Sequence, residues 1–126
     1  RAIRTSRYLY IRNYEPDRWP AGSPPAYRDV DRSPTKKFMV EHKTDPRYAS
    51  LFARAFAKRP EEELYDLEKD PAQTANVAGK PEHRDIKDEL AATLNAGLKR
   101  TDDPRAYGKG ERFDEYPYYM LKRIYR

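Results

Sequence analysis

The chain has 126 residues, is 37% hydrophobic and 37% charged, and carries a formal net charge of +5 with a mean hydropathy of −1.16. A single domain of this length buries roughly two-thirds of its unfolded surface, so composition allows only a modest core. With no cysteine, disulfides, thiolate metal sites and a cysteine nucleophile are excluded; no run approaches the ~20 apolar residues that span a bilayer, and no signal peptide is evident.

Taken in order, Ala2–Thr5 and Tyr8–Tyr14 are β-rich runs joined by Ser6-Arg7, which predicts a hairpin. In the second run Tyr8, Tyr10, Arg12 and Tyr14 share one face, while Leu9, Ile11 and Asn13 share the other. Both faces are partly apolar, so a cover is expected on each: a helix of this domain on one side, a larger body on the other. The 11 tyrosines point the same way, because an amphipathic ring suits half-covered sheet faces and partner contacts.

Residues 15–35 contain Pro16, Pro20, Gly22, Pro24, Pro25 and Pro34 and lack periodicity, so they read as a loop of a length that is usually functional or disordered. This loop sets the sole tryptophan, Trp19, beside Arg18. Ser33-Pro34 has the form of an N-cap followed by a first-turn proline, predicting a helix to about Lys43. Asp45-Pro46 repeats the start signal, and Tyr48, Leu51, Phe52, Ala55 and Phe56 then recur at helical spacing until Arg59-Pro60. Glu63–Leu67 reads as a strand, followed by a turn at Asp70-Pro71 and one helical turn closing near Asn76.

The longest predicted helix runs from about Pro81 to Lys99 with a stripe of Ile86, Leu90, Leu94 and Leu98. Glu82 and Asp85 at its start and Lys99 and Arg100 at its end complement the helix dipole. Thr101–Arg105 is turn-like, and Gly108 and Gly110 open a tail holding Tyr116, Tyr118, Tyr119 and Tyr125. The order predicts an α+β fold in which a small antiparallel sheet packs against the long helix, with additional short helices. Residues 1–106 form the expected body and 107–126 an extended tail.

Charge is unevenly distributed. Residues 1–59 hold 14 Lys+Arg against 6 Asp+Glu, and residues 60–106 hold 7 against 12. The basic front half could meet a polyanion, or pair with the acidic middle of its own fold. His42 and His83 lack metal-ligand spacing and read as surface helix residues. Most carboxylates fall in helix first turns or in the Asp66–Asp70 turn, and no phosphate loop or Ser/His/Asp spacing can be defended. Catalytic and metal-binding residues are therefore not assigned. The binding candidates are Arg12, Arg18 and Trp19, with Arg1, Arg4 and Arg7 nearby on the hairpin. Arginine can fork two hydrogen bonds to an oxyanion, and a sugar ring can stack on indole.

Three stretches carry a resemblance. They are Arg1-Ala-Ile-Arg-Thr5 entering the Tyr/Leu/Ile strand, Glu63-Leu-Tyr-Asp-Leu67 with Asp70-Pro71 and Asn76, and the helix ending in Asp103-Pro104. Together they resemble the C-terminal subdomain of the sulfatases, on the branch of N-sulfoglucosamine sulfohydrolase (heparan N-sulfatase). The likeness runs over residues 1–119. It implies a two-part parent in which a large α/β domain holds formylglycine and calcium. The smaller part, a sheet of about four antiparallel strands with a long helix, packs on that domain and helps shape the substrate cleft.

By the same resemblance the parent would hydrolyse a sulfate ester or sulfamate on glycosaminoglycan-like sugars, with the metal polarising the sulfate oxygens. None of the family's formylglycine motif, calcium ligands or catalytic Lys and His positions falls in this chain, so no cofactor is expected in this segment. The nearest approach to the Cys/Ser-x-Pro-x-Arg motif is Ser23-Pro24-Pro25-Ala26-Tyr27, where Tyr27 stands in the arginine position. The implied partners are the catalytic sulfatase domain and a sulfated sugar, without nucleic acid or a membrane span, in a periplasmic or secreted setting. Opening on Arg1 at a strand edge fits a piece of a longer protein. The rival reading is a stand-alone basic module for a polyanion, either sulfated glycan or nucleic acid, given a pI near 9.4.

Overall fold

The computed structural model describes residues 1–117. These fall into two compact units, one built from residues 1–14 and from 63 onward, the other from residues 15–62.

In the first unit, β1 (Ala2–Arg4) and β2 (Tyr8–Arg12) form an antiparallel hairpin with Ala2 opposite Ile11, Ile3 opposite Tyr10 and Arg4 opposite Leu9. Thr5 closes it, its hydroxyl oxygen accepting from the N–H of Tyr8 at 2.8 Å and of Arg7 at 3.3 Å. The third strand, β3 (Glu62–Asp66), adds beside β2, giving the order β1-β2-β3. Among the described residues the sheet thus has three strands, one fewer than the resemblance implies.

The long helix α3 (Arg84–Arg100), entered through a 3-10 turn at Pro81–His83, covers one sheet face. Leu90, Leu94 and Leu98 are buried against Tyr10, Leu64 and Val77, with Ile3, Tyr8, Tyr14 and Ile86 around them. The four-residue spacing of the leucines puts them on one stripe of the helix, and the alternation of Tyr8, Tyr10 and Tyr14 puts those rings on the facing side of β2. The α+β layer predicted from the sequence is therefore the one observed.

The stretch after β3 differs from expectation. In place of a helical turn near Asn76, residues 73–77 run without regular structure beside the strand. Two side chains hold them there. The Asp70 carboxylate accepts from the N–H of Thr74 at 2.6 Å and of Ala75 at 2.7 Å. Asn76 Oδ1 accepts from the N–H of Leu64 at 2.9 Å and of Ala78 at 3.0 Å, while the Val77 N–H donates to the Leu64 carbonyl at 2.9 Å. A carboxamide standing in for a neighbouring strand satisfies the backbone that a helical turn would have left open. Beyond α3, short 3-10 turns form at Pro104–Tyr107 and Gly110–Asp114, and the tail tyrosines from Tyr118 on lie outside the described residues.

The second unit contains α1 (Pro34–Glu41) and α2 (Ala49–Phe56). Ser33 caps α1 through its hydroxyl, which accepts from the Lys36 N–H at 3.2 Å, with Pro34 in the first turn, as the sequence predicts. α2 begins three residues later than the Asp45-Pro46 signal suggests. Asp45 is engaged by the Arg47 backbone at 3.0 Å and by its guanidinium at 2.7 Å, and residues 45–48 form a separate turn. Phe56, Tyr27 and Ala21 make the core, with Met39, Val40 and Phe52 packed around it. Leu51, read from the sequence as part of the buried stripe, is exposed.

The sheet tyrosines do not form an open apolar face. Tyr10 is 1% exposed, and Tyr8, Tyr14 and Tyr65 are half-buried. Among the described residues, the exposed large apolar side chains are Trp19, Val30, Phe38, Leu51, Tyr107 and Tyr116. No described helix is long and apolar enough to cross a membrane.

Candidate binding surface at Trp19

The proline-rich loop of the second unit is fixed by its own backbone. Arg18 N–H donates to the Glu15 carbonyl at 3.0 Å, Tyr27 N–H to Ser23 at 3.0 Å and Asp29 N–H to Ala21 at 3.2 Å. The Lys36 ammonium ties the loop to α1 by donating to the Tyr27 and Val30 carbonyls. Gly22 sits at φ +82°, and a Cβ there would lie 2.9 Å from the Arg28 nitrogen, so only glycine fits without displacement. A loop that sequence leaves as functional or disordered is thus an ordered support.

That support presents the tryptophan. The Trp19 ring is 37% exposed and meets the Tyr27 ring edge-on, with centroids 6.4 Å apart and planes at 77°. Tyr27 is itself buried against Phe52 at 5.8 Å and Phe56 at 5.1 Å. Offset and edge-on aromatic contacts of this kind fix ring orientation as well as burying area. On the indole side, Lys58 Nζ lies 5.7 Å from the ring centre and 3.6 Å from the Asp17 carboxylate. Arg18 pairs with Glu15 at 3.6 Å. Arg18 and Trp19, both predicted candidates, therefore belong to one loop of the second unit. The third, Arg12, lies on β2 of the first unit with its guanidinium 6.0 Å from the Tyr14 ring centre.

Lys58 and Tyr27 were not among the candidates. Lys58 reaches the indole from the far end of α2, a proximity that no local spacing announces. Tyr27 stands where the formylglycine motif would need arginine, and its ring is committed to the core. Residues 23–27 therefore do not fit that cofactor. Among the described residues no group of three or more His, Asp or Glu is placed to hold a metal ion. His42 donates from Nδ1 to the Phe38 carbonyl at 2.8 Å and stacks on the Phe38 ring at 4.1 Å, which accounts for it as a helix-end residue.

The other hairpin arginines serve the fold. Arg1 pairs with Asp103 at 2.6 Å, and Arg7 with Asp66 at 3.2 Å and Glu68 at 3.4 Å. The basic front of the chain and its acidic middle thus meet inside one unit, which removes part of the charge available to a polyanion. Arg7 and Asp66 also line an open cleft of about 650 Å³ with Tyr8, Lys80, His83 and Asp85, where both signs of charge are interleaved.

Burial pushes the Asp66 carboxyl up, but the hydrogen bond and charge of Arg7 and the N–H groups of Glu68 and Lys69 outweigh it, leaving the group below its ordinary value. Asp103 is lowered in the same way, burial being overcome by the Arg105 N–H and the Arg1 side chain. Asp45 is lowered chiefly by the hydrogen bond from the Arg47 guanidinium. Carboxyls that titrate lower in the folded chain confer stability that is complete above the unfolded value of about 3.9 and vanishes as pH falls through the folded values. For these three carboxyls, thermal melts should therefore lose ground on the acid side, beneath about pH 4. Asp66→Asn should lower the melting temperature at neutral pH and flatten that acid limb; an acid limb identical to the parent's would contradict the pairing.

Compared with known proteins, no family model matches the chain, and no solved structure does. Two curated proteins do, both named ulvan-active sulfatase and both from Formosa agariphila. One is 31% identical over 103 residues, covering 82% of this chain and 18% of that protein. The other is 34% identical over 104 residues, covering 82% and 17%. The chain is thus similar to a segment of sulfatases and spans less than a fifth of the length of these relatives.

Proposed function

We propose that this chain is the C-terminal subdomain of a sulfatase acting on a sulfated polysaccharide, with residues 1–106 as its body; residues 110–114, expected in an extended tail, form a 3-10 turn instead. The observation that carries the reading is the similarity of 82% of the chain to under a fifth of each of two sulfatases. A segment that small accompanies a catalytic body rather than containing one, and residues 23–27 do not fit the formylglycine motif. Formylglycine and calcium chemistry is therefore assigned to the rest of the parent, and no step is routed through this chain. The catalytic domain is its partner, packed against it, and the setting is periplasmic or secreted.

Within that arrangement the Trp19 loop borders the substrate cleft, with Arg18 and Trp19 meeting the sulfated sugar, and Arg12 is a separate candidate contact in the first unit. Since the relatives are named for activity on ulvan, the leading substrate class is an ulvan-like sulfate ester. The sulfamate of the heparan N-sulfatase branch is the finer alternative. A stand-alone polyanion module is disfavoured by the engagement of Arg1 and Arg7 with Asp103 and Asp66.

Sulfate release tests the proposal. The 126-residue chain alone should release none from ulvan or heparin oligosaccharides. A chimera in which it replaces the matching segment of an ulvan-active sulfatase should keep kcat/KM on ulvan oligosaccharides within about tenfold of the parent. Turnover by the chain alone, or a folded chimera devoid of activity, would overturn the assignment.

A further inference from the structure

Resting on that reading of the Trp19 loop, we propose that Lys58 contacts sulfate beside the Trp19 indole, and that Asp17 occupies its ammonium until a sulfated sugar displaces it. The indole is a rigid platform, because Tyr27 holds its edge and is itself locked against Phe52 and Phe56. Lys58 arrives from a second fixed element: it follows Ala57, the C-cap of α2, whose N–H donates to the Ala53 carbonyl at 3.0 Å. Its ammonium stands 5.7 Å from the indole centre. The ammonium stands over part of the indole face, so a sulfated sugar on the remaining exposed part of the ring brings its sulfate beside Lys58.

The counter-ion completes the argument. The Asp17 side chain is 100% exposed and its contact with Lys58 is 3.6 Å. Exposed pairs of this kind are weak and readily exchanged. A sulfate brings the same charge with three acceptor oxygens, so it can replace the carboxylate while the sugar covers the open part of the indole. Lysine suits this role because its ammonium is a point charge on a flexible stem and tolerates a range of sulfate orientations.

Trp19 is the only tryptophan, so its emission reads the site directly in the 126-residue chain. Titration with an ulvan oligosaccharide should give a saturating change, and the chemically desulfated sugar should bind at least tenfold more weakly. Lys58→Gln should weaken the sulfated ligand about tenfold (~1.4 kcal/mol) and leave the desulfated one unaffected. Lys58→Arg should restore most of the loss, and Asp17→Asn should tighten binding about threefold by removing the competing carboxylate. Both side chains are largely exposed, so neither substitution threatens the fold, and thermal melts check this.

Equal affinity of Lys58→Gln and the parent chain for the sulfated sugar would overturn the assignment of Lys58, while an active chimera left the sulfatase reading standing. No saturable response of Trp19 to either sugar would overturn this site altogether. An inactive chimera would instead count against the sulfatase reading.

Discussion

Leu64→Ala is expected to destabilise the chain by about 2–5 kcal/mol, because the side chain is fully enclosed and its loss leaves a cavity as well as forfeiting burial. Leu64 is the point at which β3 meets α3: it is 0% exposed and packs in the cluster of Tyr10, Val77, Leu90, Leu94 and Leu98. Small domains have roughly 5–15 kcal/mol in total, so this one substitution removes a large share. Equilibrium denaturation followed by helical ellipticity, to which the 17-residue α3 contributes most, reads the effect. A loss below about 1 kcal/mol would mean that the cluster does not close around this side chain.

Gly22→Ala is the second large effect, on the order of 2–4 kcal/mol, from left-handed backbone strain and a collision that cannot be relieved by rotating a side chain. The new methyl would lie 2.9 Å from the Arg28 nitrogen and 3.1 Å from the Asp29 nitrogen, both backbone atoms. Gly22 also donates to the Trp19 carbonyl at 3.3 Å, so the displacement is passed to the indole. Trp19 emission should shift to the unfolded spectrum at lower denaturant than in the parent chain. Gly79→Ala, whose added methyl meets nothing within 4 Å, is the control and should leave that transition in place.

What could be read from the sequence tracks the range of the forces involved. α3 was legible apart from its first turn, which is 3-10 over Pro81–His83, because four apolar residues at four-residue steps, acids at the start and bases at the end all agree. The hairpin and Ser33-Pro34 were legible for the same reason, since caps and alternation act over a few residues. Asn76 was not. Its carboxamide bonds the backbone of Leu64, twelve residues earlier, and periodicity carries no trace of such a contact. The burial pattern of α2 was only half legible: helical spacing identifies a stripe, but tertiary packing decides that Phe52 and Phe56 are covered and Leu51 is not.

The candidate site divides in the same way. Trp19 and Arg18 stand out by composition and proximity in the chain. Lys58 and Asp17 become visible only once α2 ends beside the loop. The prolines correctly announced that residues 15–33 lack regular structure, while Pro34 and Thr35 already belong to α1. They said nothing of the hydrogen bonds and of the Lys36 ammonium that make the loop a platform.

One consequence follows from the way Leu64 is satisfied. Its amide and carbonyl are both taken by residues 76 and 77, so the outer flank of β3 offers little template for recruiting another strand. Among the described residues the opposite flank of the sheet is β1, only three residues long. Enlargement of this sheet by a neighbour, whether in a whole enzyme or in unwanted aggregates, is therefore one-sided: a newcomer has to line up along residues 2–4, and it finds a very short rail there.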